Sequence, residues 1–75
     1  MKVTFYMGGN NMKNGYYRFD IYTNKGLVDT KFDKDEAEFA YNMYVKDMYD
    51  GYSKRVRLVG YKQNGDTEII KEISK

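Results

Sequence analysis

The sequence FDKDEAEFAYNMYVKDMYDG, residues 32–51, predicts the only helix of this chain. Asp33 can cap the free amide groups of the first turn, and Glu36 can reach back to complete a capping box. Gly51 can adopt the left-handed conformation that ends a helix. Residues between these signals recur at helical spacing and give one apolar face, made of Ala37, Ala40, Tyr41, Tyr44, Val45 and Met48. We therefore expect a helix over about residues 34–50 that covers another layer of structure with this face.

The segments on both sides of the helix alternate between apolar and polar residues, as half-buried strands do. We expect strands at residues 2–7, 16–23, 27–32, 54–62 and 66–73. The order β-β-β-α-β-β predicts an α+β fold, an antiparallel five-stranded sheet with the helix packed on one face. In the second strand, the candidate core set is Tyr17, Phe19, Ile21 and Thr23.

The first turn sequence allows two registers for the strands that precede the helix. A turn centred on residues 25–26 would place Phe32 opposite Phe19, whereas a three-residue loop would place Asp29 opposite Ile21. We prefer the first register because it pairs two aromatic side chains.

The second turn sequence, Asn-Gly at residues 64–65, is a strong hairpin signal. A two-residue turn there would pair Gly60 with Ile69 on the side that faces the helix. It would pair Val59 with Ile70 on the opposite side of the sheet, which we call the open face.

Composition limits the classes of protein that this chain can belong to. Its 75 residues suit a single domain, 1–75, and without Cys that domain has no disulfide. The net charge of +2 is too small to identify a polyanionic partner. No segment has the length or character of a signal peptide or membrane span, so we expect a cytoplasmic protein with no membrane contact.

The sequence offers little for catalysis. Without His or Cys, the commonest general base, the thiol nucleophile and the usual zinc ligands are missing. Gly8 and Gly9 lack the Lys and Ser/Thr of a phosphate-binding loop. Four carboxylates lie near the helix start: Asp33, Asp35, Glu36 and Glu38. We attribute them to stabilisation of the positive amino-terminal end of the helix dipole rather than to a cation site. We expect no enzyme activity, metal or cofactor.

Two surfaces are candidate binding sites. The first is the exposed helix pair, Phe39 and Met43, which lie one turn apart and away from the apolar face. Adjacent exposed apolar groups favour a protein partner or a homodimer. The alternative is that the loop of residues 8–14 covers them, or that the core is wider than the face drawn above.

The second candidate surface is the open face, where tyrosines and arginines interleave with Val59 and Ile70. Such residues can stack bases and neutralise phosphates. Against this, Asp20, Glu68 and Glu72 share the face, and tyrosine is common in strands for packing reasons alone. The candidate contacts are Tyr6, Tyr16, Arg18, Tyr22, Arg55, Arg57 and Tyr61.

The segment NGYYRFDIYTNKGLVDTKFDKDEAEFA resembles the arm-DNA-binding domains of phage and transposon integrases, in which a phrase like FxTKxEAE opens a helix after three strands. The likeness covers about half of the chain and is carried by Phe32, Lys34, Glu36, Ala37 and Glu38. It implies DNA binding, but this chain adds a carboxy-terminal hairpin and lacks a recombinase domain. Short length and a composition rich in Tyr, Asn, Lys and Met also resemble phage and mobile-element accessory proteins, including anti-CRISPR and other anti-defence inhibitors.

These observations lead to one functional expectation and one alternative. We expect a small non-enzymatic binding protein, an accessory factor of a phage or mobile element that binds and blocks a host protein. The alternative is a nucleic-acid-binding module that uses the open face.

Overall fold

The computed structural model describes residues 15–75. In this part of the chain, strands β1 (Tyr16–Thr23) and β2 (Gly26–Lys31) precede helix α1 (Lys34–Tyr49), and strands β3 (Arg55–Lys62) and β4 (Thr67–Ser74) follow it. The strands form one antiparallel sheet in the order β2-β1-β3-β4. The α+β class is confirmed.

The number of strands differs from the expected five. The sheet of residues 15–75 has four strands. The strand expected at residues 2–7 lies outside the described residues. The other four strands and the helix occupy nearly the expected positions.

Helix α1 begins and ends at the predicted signals. The Asp33 carboxylate accepts a hydrogen bond from the Glu36 backbone N–H at 3.0 Å. At the other end, Gly51 has a φ of 97°, and the Tyr52 N–H donates to the Asp47 carbonyl at 3.0 Å. This bond across a left-handed glycine is a Schellman ending, which satisfies carbonyl groups of the last turn.

The core lies between α1 and one face of the sheet. The helix contributes its predicted face, with Tyr44 and Val45 at the margin of the core. Ile21, Val56 and Met48 have no exposed surface, and Leu58 is 1% exposed. Among residues 15–75, the buried core residues are Phe19, Ile21, Ala37, Ala40, Tyr41, Met48, Val56 and Leu58.

Tyr16 and Tyr17 lie on the opposite sides from those that alternation predicts. The register of β1 against β3 shifts between Tyr16 and Arg18, which leaves Tyr17 as the extra residue of a bulge. Tyr17 is exposed, whereas Tyr16 packs against the core with its ring centroid 5.5 Å from that of Phe19. The prediction that Tyr17 is a core residue and Tyr16 an open-face residue was wrong, because a bulge shifts the alternation by one residue.

The preferred register of β1 against β2 was also wrong. A shift between Ile21 and Tyr22 leaves Val28 unpaired and brings Asp29 opposite Ile21. Phe32 lies beyond the end of β2 and is 71% exposed, so the expected aromatic pair does not form.

The Asn-Gly hairpin has a longer loop than predicted. The Lys62 N–H donates to the Asp66 carbonyl at 2.8 Å, and the Gly65 N–H donates to the Lys62 carbonyl at 3.0 Å. Gly65 has a φ of 96°. These features define a three-residue loop, residues 63–65, with the glycine in the left-handed position that such loops favour.

The extra loop residue changes the pairing next to the turn. Val59 pairs with Ile69 instead of Ile70, and Gly60 pairs with Glu68. A bulge at Ile70 restores the predicted register toward the end of β4. Ile70 therefore packs against the core, and Ile69 is the half-exposed member of the pair. The assignment of Ile70 to the open face was wrong.

Candidate functional site

Within residues 15–75, the exposed helix pair is accessible on the flank of α1. The loop of residues 8–14, the alternative cover for this pair, lies outside the described residues. Phe39 is 70% exposed and Met43 is 52% exposed, although both belong to a helix with a well-packed face. Two large apolar side chains one turn apart give a small apolar surface on which a partner can gain binding energy.

A groove runs beside this pair, between α1 and β2, with a volume of about 630 Å³. The helix side of the groove includes Phe39, Ala40 and Met43, and the strand side includes Asp29 and Lys31. The remaining lining residues are Asp35, Glu36, Tyr44 and Asp47. The groove thus has an apolar wall and a charged border, which is typical of sites that hold an apolar side chain and orient it through polar contacts.

Asp29 and Tyr44, which both line the groove, contact each other across it from β2 and α1. The Tyr44 hydroxyl lies 3.4 Å from the Asp29 carboxylate and also 3.4 Å from the Val28 carbonyl. Partial burial and the neighbouring Asp29 carboxylate raise the pKa of Tyr44. Asp29 also accepts the Thr30 backbone N–H at 2.9 Å, so this carboxylate has partners although it faces the helix side of the sheet.

The border of the groove is acidic. Asp29, Asp35, Glu36 and Asp47 face a single cation, Lys31, whose ammonium nitrogen lies 4.0 Å from the Asp29 carboxylate. The other three carboxylates form no ion pair with any Lys or Arg of residues 15–75. No group of three His, Cys, Asp or Glu in these residues is arranged to hold a metal ion.

The centre of the open face is a polar cluster built on Asp20. This residue is 4% exposed and accepts the Thr30 hydroxyl at 2.9 Å. The Arg18 guanidinium lies 3.5 Å from the Asp20 carboxylate, and its central carbon lies 4.0 Å from the centroid of the Tyr61 ring. Arg18 is therefore already occupied by an anion and by an aromatic face within this chain.

A second pair on the open face neutralises Arg57. Two nitrogens of its guanidinium donate to the same oxygen of the Glu72 carboxylate, at 2.7 and 3.1 Å. The two residues are direct cross-strand partners in β3 and β4. Arg55 is exposed and makes no ion pair within residues 15–75.

Tyr22 and Tyr61 contact each other on the open face. Their hydroxyl oxygens lie 3.3 Å apart and share a hydrogen bond. The hydrogen bond to Tyr61 and partial burial raise the pKa of Tyr22 from 10.0 to about 12. The raised pKa means that the folded protein binds the Tyr22 phenol proton more tightly than the unfolded chain does. The stability gained from this proton is therefore fully present below pH 10 and is lost as the pH rises toward 12.

We therefore expect a late component in the alkaline titration of tyrosinate absorbance. Tyr22→Phe should remove that component, and the free energy of unfolding of the variant should fall less between pH 10 and pH 12 than that of the original protein. A titration curve that is unchanged apart from the loss of one ordinary tyrosine would contradict the hydrogen-bonded pair.

The structure separates the predicted contact residues into groups. Phe39 and Met43 lie together at the groove, and Arg18, Tyr22 and Tyr61 lie together on the open face. Tyr16 lies on the helix side of the sheet, where its hydroxyl donates to Glu68. Tyr6 lies outside the described residues.

Sequence reasoning missed the strand side of the groove. Asp29 and Lys31 reach the groove from β2, and Asp47 reaches it from the last half of α1. The register that we did not prefer pairs Asp29 with Ile21, as the structure does, and would have predicted that Asp29 lies on the helix side of the sheet.

Comparisons with protein-family models, with curated proteins and with solved structures found no match. The resemblances to integrase arm domains and to phage accessory proteins therefore stay predictions. Within residues 15–75, no helix is long and apolar enough to cross a membrane.

Proposed function

We propose that this chain is a small non-enzymatic protein that binds another protein through the groove between α1 and β2. The observation that carries the proposal is the exposure of Phe39 and Met43 on a groove wall, because no side chain of residues 15–75 covers either of them. Burial of a Phe or Met side chain contributes about 1.5–3 kcal/mol, so this pair can anchor a partner.

The mode of action in this proposal is occlusion. In this proposal the groove holds the partner, and the rest of the small domain covers the adjoining surface of that partner. The resemblance to phage and mobile-element accessory proteins implies that the partner is a host protein, as for an anti-defence or anti-CRISPR inhibitor.

The open face supports this choice over nucleic-acid binding. Arg18 is paired with Asp20 and Arg57 with Glu72, so two of the three candidate phosphate contacts are neutralised within the chain. Nucleic-acid binding depends on free cations that replace counterions at the phosphates. Arg55 alone is a small basis for such binding.

The test is capture of a partner from a lysate by the tagged protein, compared with the double variant Phe39→Ser and Met43→Ser. We expect the variant to weaken binding of the captured partner by about thirtyfold or more, which corresponds to about 2 kcal/mol for a hot spot. Fold should be retained, since substitutions at exposed positions change stability by about 0.5 kcal/mol.

A matched control removes two equally exposed apolar groups outside the groove. Tyr52 is 68% exposed and Ile69 is 49% exposed, which are close to the values for Phe39 and Met43. Tyr52→Ser with Ile69→Ser should leave binding unchanged. Loss of binding in the control but not in the groove variant would show that the groove is the wrong surface, and salt-sensitive binding of labelled DNA or RNA would favour the alternative function.

A further inference from the structure

We propose that the groove takes a cationic segment of the partner, in which Lys or Arg residues flank one bulky apolar side chain. This inference rests on the proposed function and specifies the chemistry of its partner. The apolar side chain would pack against Phe39 and Met43, and the cations would meet the acidic border.

Most of the negative charge at the border belongs to carboxylates that have no counterion in the described part of the chain. Asp35, Glu36 and Asp47 line the groove and have no Lys or Arg counterion within residues 15–75. On the same helix Glu38 is paired with Lys34 at 3.0 Å, and just past the helix end Asp50 is paired with Lys46 at 3.4 Å. Within Lys34–Tyr49, the carboxylates that have no Lys or Arg partner in residues 15–75 are thus those at the groove.

Two local positive charges reduce this field without cancelling it. The amino terminus of a helix carries about half a positive charge, which offsets part of the charge on Asp35 and Glu36. Lys31 is the second, and it lies nearest to Asp29. Asp47 lies three turns further along α1, so neither the helix amino terminus nor Lys31 offsets its charge. The chain as a whole has a charge of +2, so the acidic groove is a local feature.

This charge selects among occupants. Phosphate groups of nucleic acids and anionic lipid headgroups would be repelled by the border, whereas Lys and Arg would be attracted. Strand addition along β2 is disfavoured because the bulge at Val28 interrupts that edge and because charged residues follow it. A side-chain anchor with flanking cations fits the groove better than an added strand does.

The test is selection of a displayed random peptide library on the full chain, with counter-selection on the Phe39→Ser and Met43→Ser variant. We expect the enriched peptides to share a bulky apolar residue flanked by Lys or Arg. Their affinity should fall as salt concentration rises, because the flanking contacts are exposed. Enriched peptides that are acidic, or apolar without excess Lys and Arg, would overturn the inference, as would the absence of any peptide that depends on Phe39 and Met43.

A pair of charge variants tests the same point on one selected peptide. Asp35→Asn with Asp47→Asn should weaken binding by about fivefold, since each exposed ion pair contributes a modest amount. The matched control is Glu38→Gln with Asp50→Asn, which removes two carboxylates that are already paired with lysines of α1, and it should leave affinity within about twofold. Equal effects of the two variants would overturn the inference.

The outcomes separate this inference from the proposed function. If partner capture is lost in the Phe39→Ser and Met43→Ser variant but the selected peptides are not cationic, the groove binds protein and the cationic chemistry is wrong. If capture does not depend on these residues, the proposed function fails as well. A concentration-dependent dimer that the same variant abolishes would make a second copy the occupant and would also overturn the inference.

Discussion

Ile21→Ala is expected to lower the free energy of unfolding by about 2–5 kcal/mol. Ile21 has no exposed surface and lies in β1, the strand that pairs with both β2 and β3. Removal of its side chain would leave a cavity between the sheet and α1. Since a chain of this size draws about 3–5 kcal/mol from one core, the variant should be largely unfolded at room temperature.

Ile69→Ala is the matched control, because Ile69 is 49% exposed on the edge strand β4. It should cost no more than about 1 kcal/mol. The free energy of unfolding of both variants can be measured by urea titration with circular dichroism as the signal. A cost for Ile21→Ala that is no larger than that for Ile69→Ala would contradict the assignment of the core to the helix side of the sheet.

Gly60→Ala is expected to destabilise the protein by about 1–3 kcal/mol, the usual cost of overpacking. A Cβ atom at Gly60 would lie 2.6 Å and 2.7 Å from two ring carbons of Tyr16, and 2.9 Å from the terminal carbon of Ile70. The Tyr16 ring cannot move away at little cost, because it packs beside Phe19 and its hydroxyl donates to Glu68.

The direction of the stability change in Gly60→Ala is informative, because the strand preference of Ala over Gly would by itself predict stabilisation. Gly in a strand interior is less stable than Ala by about 0.5–1 kcal/mol, so an open position would gain stability. In a Tyr16→Ala background the clash with the ring is removed and only the contact with the terminal carbon of Ile70 remains. Because that carbon is the end of a flexible side chain, Gly60→Ala should then be close to neutral or stabilising. Additive effects of the two substitutions in urea unfolding would contradict close packing of the Tyr16 ring on Gly60.

The helix was predictable because its signals are local. The Asp33 cap, the left-handed Gly51 and the apolar face each depend on residues within a few turns, and all three were confirmed. The exposure of Phe39 and Met43 follows from the same periodicity. Half of the candidate groove, its apolar wall, was therefore visible in the sequence.

The strand side of the groove was not predictable in the same way, because strand registers depend on bulges. An extra residue at Tyr17, Val28 or Ile70 shifts every later side chain by one position, and no residue type marks these bulges. The error at Val28 had the largest consequence, because it concealed the position of Asp29 beside the groove.

The most direct measurement of the central claim is a map of backbone amide shifts in isotope-labelled protein on titration with its captured partner. The account predicts that the largest changes occur at Asp29, Phe39, Met43 and Asp47, around the groove between α1 and β2. Changes centred on Arg18, Tyr22, Arg57 and Tyr61, with the groove unaffected, would contradict it and would place binding on the open face.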